Sequence, residues 1–313
     1  MGGSGGGFSY QSSSGYKNEL DKIRKESYDE AFETSVNALI NEKLGSANSR
    51  DVEKTREHLD TIKNAVQEDI EGVVELQYGG SVHKFTYVEG LSDVDVLLKI
   101  NKSELSNKSP KEVLEYIKSR LETKLTNTEE IKIGKLAVTV KYKDGTEIQI
   151  LPAIKRGENG FKIPSRNGKE WSNVIRPDKF ASRLTEVNQN CGGKVVPVIK
   201  IVKYINSKLP PDQQLSGYHI ESLAIEIYKS YPSEMSLTNK IMLRYFFEKA
   251  SEKVKKPIKD KTNQSLHVDD YLYGENSSQR VLMSYILSRT YKRMKAADDM
   301  KSIEAWKDIL GED

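Results

Sequence analysis

The chain has 313 residues, of which 36% are hydrophobic and 30% are charged, the balance of an ordinary soluble protein with enough length for a sizeable core. Its formal net charge of +3 is close to neutral and gives no basis for a general affinity for nucleic acid. The single cysteine, Cys191, excludes an internal disulfide framework and fits a reducing compartment. The sequence has neither an apolar run of transmembrane length nor the basic-then-apolar start of a signal peptide, so we expect a cytoplasmic protein without membrane contact.

The first quarter of the chain is predicted to be mainly helical. Residues 1–16 are rich in glycine and serine, which predicts a flexible tail. Apolar residues recur at helical spacing over 17–45 and again over about 50–70, which predicts two helices. The character then changes, because Val73–Tyr78 has the composition of a strand and runs into the turn Gly79-Gly80-Ser81.

The second quarter is predicted to be a mixture of strands with one helix. Asp93–Ile100 is a second strand, and residues 109–125 form a helix with a proline in its first turn. Ile131–Val140 and Thr146–Ile154 are predicted strands on either side of Asp144-Gly145, a strong hairpin signal. This half of the chain therefore contains a small mixed sheet with flanking helices.

The remaining sequence is predicted to be helical after a polar loop at 155–176. We therefore expect an α+β fold, with a core domain over 17–176, a helical lobe over 177–313 and a ligand cleft between the two. The predicted helices of the second lobe lie at 177–190, 194–208, 216–231, 235–254 and 275–297.

The strongest chemical signal is the pair of aspartates in the second strand. Asp93 and Asp95 are two residues apart, so both side chains leave the same face of the strand, where they repel each other unless a cation lies between them. Mg²⁺ fits this arrangement, since it prefers oxygen ligands and shares its shell with phosphates. Upstream, Gly80 and Ser81 offer close backbone approach and a hydroxyl to a phosphate. Each motif alone is also common in ordinary turns and strand ends.

The order of these motifs resembles the core of the polymerase-beta-like nucleotidyltransferases. The downstream sequence resembles, more narrowly, the bacterial relatives of cyclic GMP–AMP synthase and oligoadenylate synthase, which are the cyclic-oligonucleotide synthases of anti-phage signalling (CBASS). The resemblance extends from about residue 17 to the C-terminus. The motifs that carry it, besides Gly80-Ser81 and Asp93-Val94-Asp95, are Leu151-Pro152-Ala153, Ile163-Pro164, Trp171, Pro177, Val196–Tyr204, Ser216–Leu223 and Tyr271-Leu272.

The resemblance implies roles for several residues. Asp93 and Asp95 would bind Mg²⁺ (or Mn²⁺), which neutralises the triphosphate and aligns the attacking hydroxyl with the α-phosphorus. Ser81, after Gly80, would contact the phosphates of the donor nucleotide. Lys203 lies where the family has a lysine that reaches the triphosphate. Farther along, a serine near the phosphates and an aromatic ring that stacks on the donor base correspond to Ser216 and Tyr218.

The sequence departs from the family at the third acid. That position lies four residues before the alanine of Leu-Pro-Ala and is occupied here by Gln149, which offers a carbonyl oxygen to a metal but is not a base. Glu147 shares a strand face with Gln149 and is a candidate substitute, although it also has the position of a solvated residue beside the Asp144-Gly145 turn. Three outcomes are open: a working two-acid site, substitution by Glu147, or a weak or inactive enzyme.

We predict a nucleotidyltransferase that joins nucleoside triphosphates into a cyclic or linear oligonucleotide second messenger and releases pyrophosphate. A nucleotide-binding pseudoenzyme and a transferase that acts on an RNA or protein acceptor are the alternatives. We expect a monomer that does not require nucleic acid. By analogy with the family, we also expect regulatory or effector proteins encoded in the same operon.

Overall fold

The structure is a computed structural model that describes residues 29–47, 52–67, 73–88, 94–101, 103–157, 160–165, 167–260 and 267–311. The predicted tail at 1–16, the start of the first predicted helix and Asp93 lie outside these residues. In the described part, six strands form one sheet in the order β1-β2-β5-β4-β3, with β6 paired to β5. They are β1 (Val73–Tyr78), β2 (Val94–Asn101), β3 (Thr128–Ile133), β4 (Val138–Tyr142), β5 (Glu147–Arg156) and β6 (Gly160–Lys162).

The two central strands, β2 and β5, run parallel, and the other neighbouring strands are antiparallel. In β2 the buried residues alternate with half-buried ones, so one face is apolar and packs against two helices while the opposite face carries Asp95. The α-helices among the described residues of this half are α1 (Glu30–Ala47), α2 (Val52–Gln67), α3 (Gly80–His83) and α4 (Pro110–Lys124).

The described part of the chain from residue 177 onward is mainly helical, as predicted. Side-chain caps fix several helix starts; for example, the hydroxyls of Ser216 and Thr238 accept hydrogen bonds from the third residue of the helix that follows each. The helices are α5 (Pro177–Asn190), α6 (Val195–Ser207), α7 (Gly217–Tyr228), α8 (Asn239–Lys253), α9 (Ser278–Asp299) and α10 (Ile303–Leu310). None of the helices in the described ranges has the length and apolar character needed to span a bilayer.

The α+β fold with a small mixed sheet and a helical lobe is confirmed, but three elements differ from the prediction. The single strand predicted over Ile131–Val140 is wrong, because the chain reverses after Gly134, whose N–H donates to the carbonyl of Ala137 at 2.8 Å. The loop predicted over 155–176 contains β6. Helix α10 was not predicted.

Helix α1 packs away from the sheet. Its apolar residues Phe32, Val36, Leu39 and Ile40 are buried in the same cluster as the helices of the second half. The sheet has its own core against α2 and α4. The predicted boundary at residue 176 groups α1 with the sheet, whereas its contacts lie with the helical lobe.

Candidate active site

Asp95 and Gln149 lie side by side at the beginning of the two central strands. They are direct partners in the parallel register of β2 and β5, and both lie on the sheet face opposite the apolar core. Both line a cavity of about 320 Å³ between the sheet and the helical lobe. The predicted carboxylate and the amide in the third-acid position therefore share one cavity. Asp93, the other predicted metal ligand, lies outside the described residues.

The glycine turn after β1 packs directly on Asp95. The N–H of Gly79 donates to the carbonyl of Asp95 at 2.8 Å. Gly80 has a φ of +47°, and a Cβ added to it would lie 1.8 Å from Oδ2 of Asp95. Only glycine fits a left-handed conformation with no room for a side chain. The turn and the carboxylate are thus one rigid unit, and Gly80 is also part of the cavity wall.

Ser81 carries a buried hydroxyl with no hydrogen-bond partner among the described residues. The residue is 8% exposed. A buried hydroxyl left unsatisfied costs about 1–3 kcal/mol, so an orphaned donor of this kind is a fit for a ligand oxygen. It lies directly after Gly80, at the position where the sequence predicted a contact to phosphate.

The helical lobe contributes an aromatic wall to the cavity. Tyr218 and Phe180 both line it, with ring centroids 4.8 Å apart. The hydroxyl of Tyr218 donates to Asp260 at 2.8 Å, which fixes the ring. The ammonium nitrogen of Lys84 lies 5.4 Å from the centre of the same ring and 5.1 Å from that of Phe180. The predicted stacking residue therefore faces the cavity, beside a cation.

Ser216 has a clear local role as the cap of α7. Its hydroxyl accepts a hydrogen bond from the N–H of His219 at 3.2 Å, and its own N–H donates to the hydroxyl of Tyr271 at 3.1 Å. Behind this turn His219 is fully buried, with Nδ1 at 2.9 Å from the Tyr271 hydroxyl and Nε2 at 3.5 Å from a carboxylate oxygen of Asp269. Burial, which outweighs the attraction of Asp269, lowers the pKa of His219 to about 4.

Lys203 lies buried behind the cavity wall. Its ammonium group donates to the carbonyl of Thr86 at 3.0 Å and to the carboxylate of Glu221 at 2.8 Å. Burial lowers the pKa of Lys203, while the charge of Glu221 opposes that shift. The predicted contact of Lys203 with a triphosphate stays a prediction.

Glu147 lies at the outer end of β5. It pairs with Lys141 of β4 in the antiparallel register. It lines a separate surface depression, together with Lys141, Glu130 and Lys132. Substitution for the third acid by Glu147 stays untested, and its place outside the cavity favours a site that works without it.

The cavity residues that were not identified from the sequence include His83, Lys84, Asp178 and Phe180. His83 and Asp178 approach each other across the cleft, with Nε2 and Oδ1 3.6 Å apart. His83 and Lys84 directly follow the Gly-Ser turn, which is a signal that sequence reasoning can use. Asp178 and Phe180 lie at the start of α5, and only the fold brings them to the cavity.

The two residues at the start of the central strands offer oxygen donors to a metal ion. In the part of the chain that the structure describes, no group of three or more His, Cys, Asp or Glu side chains is placed to hold a metal ion. Asp95 and Gln149 supply one carboxylate and one amide oxygen, which are ligands that Mg²⁺ accepts.

The strand order and the helical lobe match a polymerase-beta-like nucleotidyltransferase fold. The chain is similar to E. coli MS115-1 CdnC solved with ATP, with a TM-score of 0.68 and 16% identity over 88% of this chain and 96% of that one. It is also similar to Escherichia coli DncV bound to 3'-deoxy GTP, with a TM-score of 0.61 and 13% identity over 97% of this chain and 90% of that one. At these identities the likeness concerns the fold.

The family follows from the sequence match. Residues 31–188 match the Second Messenger Oligonucleotide or Dinucleotide Synthetase domain, and the chain belongs to this family. A cyclic AMP-AMP-AMP synthase of Acinetobacter sp. is 22% identical over 237 residues, or 70% of this chain. The match spans 64% of the length of that relative.

Proposed function

We propose that this protein is a nucleotidyltransferase that joins nucleoside triphosphates into a cyclic or linear oligonucleotide second messenger and releases pyrophosphate. The observation that carries the proposal is the cavity in which Asp95 lies beside Gln149 and is held by the Gly80 turn. Membership of the synthetase family supports it. ATP is the first substrate to test, because one relative is a cyclic AMP-AMP-AMP synthase and one similar structure holds ATP.

A divalent cation, Mg²⁺ or Mn²⁺, fits the donor set of the cavity. The carboxylate of Asp95 and the amide oxygen of Gln149 would hold it, together with Asp93 from the sequence pattern. When bound, such an ion neutralises triphosphate charge and polarises the phosphoryl group.

Other residues near the cavity would bind the phosphates and the base of the nucleotide. The buried hydroxyl of Ser81 donates to a phosphate oxygen of the donor nucleotide, which satisfies the orphaned group. The ring of Tyr218 offers a stacking surface for a base, and Asp260 fixes its orientation. Rigid positioning of this kind is the main protein contribution to phosphoryl transfer, which involves little covalent chemistry by side chains.

Gln149 makes this a site with fewer carboxylates than the family pattern. An amide provides neither negative charge nor a base, so the attacking hydroxyl loses its proton to water or to a substrate phosphate. We propose that the site is active, because the glycine turn, Asp95 and the aromatic wall form one cavity.

Cytoplasmic location and a monomeric state remain part of the proposal. One similar structure is a complex of CdnC with a HORMA protein. We propose that this chain also has a regulatory or effector partner encoded beside it, as expected of an anti-phage signalling enzyme.

The decisive experiment is product formation by the purified chain. The protein is incubated with labelled ATP, alone and mixed with the other three nucleotides, in the presence of Mg²⁺ or Mn²⁺, and the mixture is treated with phosphatase. We expect a phosphatase-resistant product, with matching release of pyrophosphate. Asp95→Asn is expected to abolish both while leaving the fold intact, because asparagine has nearly the same shape and the change removes one charge on the face of β2 opposite the apolar core.

Asp212→Asn is the matched control, since Asp212 is exposed in a turn of the helical lobe and is expected to leave activity unchanged. Binding of ATP without any product would overturn the proposal in favour of a nucleotide-binding protein without catalysis. Product that forms only when RNA or a second protein is added would overturn it in favour of a different acceptor.

A further inference from the structure

A buried charge cluster joins the two halves of the molecule beside the cavity. At its centre is Glu221 of α7, which is 1% exposed. Its carboxylate accepts hydrogen bonds from the hydroxyl of Thr86 and from the ammonium groups of Lys84 and Lys203. Thr86 and Lys84 follow helix α3 of the sheet half, whereas Lys203 and Glu221 belong to the helical lobe. One carboxylate therefore links the Gly-Ser turn region to the helical lobe.

The cluster carries an excess of positive charge. Two ammonium groups face one carboxylate, and buried charges are costly unless they are paired. Lys203 is 9% exposed and lies behind the wall, where Asp95 also acts on it electrostatically. Lys84, in contrast, lines the cavity itself. Lys84 therefore places positive charge on the cavity wall, where an anionic ligand can pair with it.

The backbone between the two Glu221 donors from the sheet half is strained. Phe85 has a φ of +59°, a conformation that costs a non-glycine residue about 1–2 kcal/mol. This tight turn is closed by hydrogen bonds from the N–H groups of Phe85 and Thr86 to the carbonyls of Val82 and Ser81. It directs Lys84 and Thr86 to the same carboxylate. Contacts with Glu221 thus also fix the segment that holds the orphaned serine.

We propose that Glu221 is a positioning residue that holds Lys84 at the cavity wall, with Lys203 behind it, so that the triphosphate of a nucleotide meets a preformed positive site. Lys84 is then a binding residue for the triphosphate, and Glu221 acts through the two lysines without touching the ligand. The inference rests on the proposed function, because that function supplies the triphosphate. Preorganised charge of this kind favours binding since no side chain has to be reordered when the ligand arrives.

The test measures binding of a non-hydrolysable ATP analogue with Mg²⁺ to the full chain and to Glu221→Gln. We expect the variant to bind about 10-fold or more weakly at neutral pH, because hydrogen bonds to charged groups are lost. Burial lowers the pKa of Lys203, whereas the charge of Glu221 raises it. Without that charge Lys203 loses its proton more readily, so the variant is expected to lose further affinity as pH rises. The other charges that face Lys203 are Lys84 and Asp95. The wild type is expected to lose less affinity than the variant over the same rise in pH, because Glu221 stabilises the charged form of Lys203.

Glu226→Gln is the matched control, because Glu226 lies on the same helix and pairs with a lysine, Lys229, at the surface. It is expected to bind the analogue as the wild type does. A Glu221→Gln protein with unchanged affinity and a flat pH profile would overturn the inference. Equal losses of affinity and urea stability without any pH dependence would show a structural role only and would also overturn it.

Lys84→Gln decides the matter if Glu221→Gln does not fold. We expect it to weaken the ATP analogue about 10-fold and to leave AMP affinity unchanged, because Lys84 is assigned to the triphosphate. Equal loss of both ligands would mean that Lys84 serves the base or the aromatic wall instead. If the wild type binds no nucleotide, the proposed function itself is wrong. If the wild type and both variants bind the nucleotide equally well, only the inference about Glu221 and Lys84 is wrong.

Discussion

The contact between Gly80 and Asp95 gives the sharpest test of the site. In Gly80→Ala the new Cβ would lie 1.8 Å from Oδ2 and 2.5 Å from Cγ of Asp95. No real contact is this short, so the carboxylate or the turn must move by roughly an ångström or more. A displacement of about 1 Å of a catalytic group costs on the order of 100-fold in rate. We expect Gly80→Ala to lose at least this much activity.

A second glycine variant separates the clash with Asp95 from the cost of placing alanine at a positive φ. Gly80 has a φ of +47°, and alanine in that region costs about 1–2 kcal/mol. Gly145, at the tip of the β4–β5 hairpin, has a φ of +87° and nothing within 4 Å of an added Cβ. Gly145→Ala is therefore the matched control: it carries a similar backbone cost without a clash. It is expected to lower the free energy of unfolding by about 1–2 kcal/mol and to retain activity.

The assays are pyrophosphate release with saturating ATP and urea unfolding followed by circular dichroism. We expect Gly80→Ala to lose far more activity than Gly145→Ala, by a margin that exceeds the difference in stability between the two variants. If the two alanine variants have the same activity, the position of the Asp95 carboxylate does not control the reaction, and the assignment of the active site to this cavity is refuted.

Three further predictions concern single side chains. Gln149→Asp is expected to raise the rate of product formation about 10-fold or more, because it adds a carboxylate beside Asp95. Glu147→Ala is expected to leave that rate unchanged, since Glu147 lies in a separate depression. Tyr218→Ala is expected to weaken ATP binding by about 1–3 kcal/mol through loss of the stacking ring, and Tyr218→Phe to retain it; equal losses in a titration would contradict this role. Since burial lowers the pKa of His219 to about 4, the unfolded chain binds its proton first. The free energy of unfolding should therefore be highest above about pH 6.5 and should fall by on the order of 3 kcal/mol as the pH is lowered towards 4. Urea titrations of the wild type and of His219→Gln at several pH values check this.

The parts of the fold that the sequence predicted well are those with a local physical cause. The alternation of buried residues in β2 follows from strand geometry, and it put Asp95 on the face away from the core. The Asp144-Gly145 pair forms the predicted turn, where the N–H of Gly145 donates to the carbonyl of Tyr142. The reversal near Gly134 was missed because the sequence there lacks a strong turn dipeptide.

The parts of the site that were not predicted depend on tertiary contacts. Lys203 was placed correctly on a helix, but its burial against Glu221 follows from the packing of the two halves and from no local pattern. The same holds for Phe180, which reaches Tyr218 only because α5 and α7 pack together. Short motifs identify the residues that bear chemistry, whereas the partners that fix them are distributed along the chain.

Two features of the cavity change its charge in the same direction. An amide at position 149 removes one negative charge beside Asp95, and the ammonium group of Lys84, held by Glu221, adds positive charge to the cavity wall. Both make the cavity a better host for a triphosphate and a weaker one for a bare cation. We propose that the nucleotide and its metal ion enter such a site together, because the phosphates would bring the oxygen ligands that the protein lacks. The amide at Gln149 is therefore consistent with a working enzyme whose metal affinity depends on its substrate.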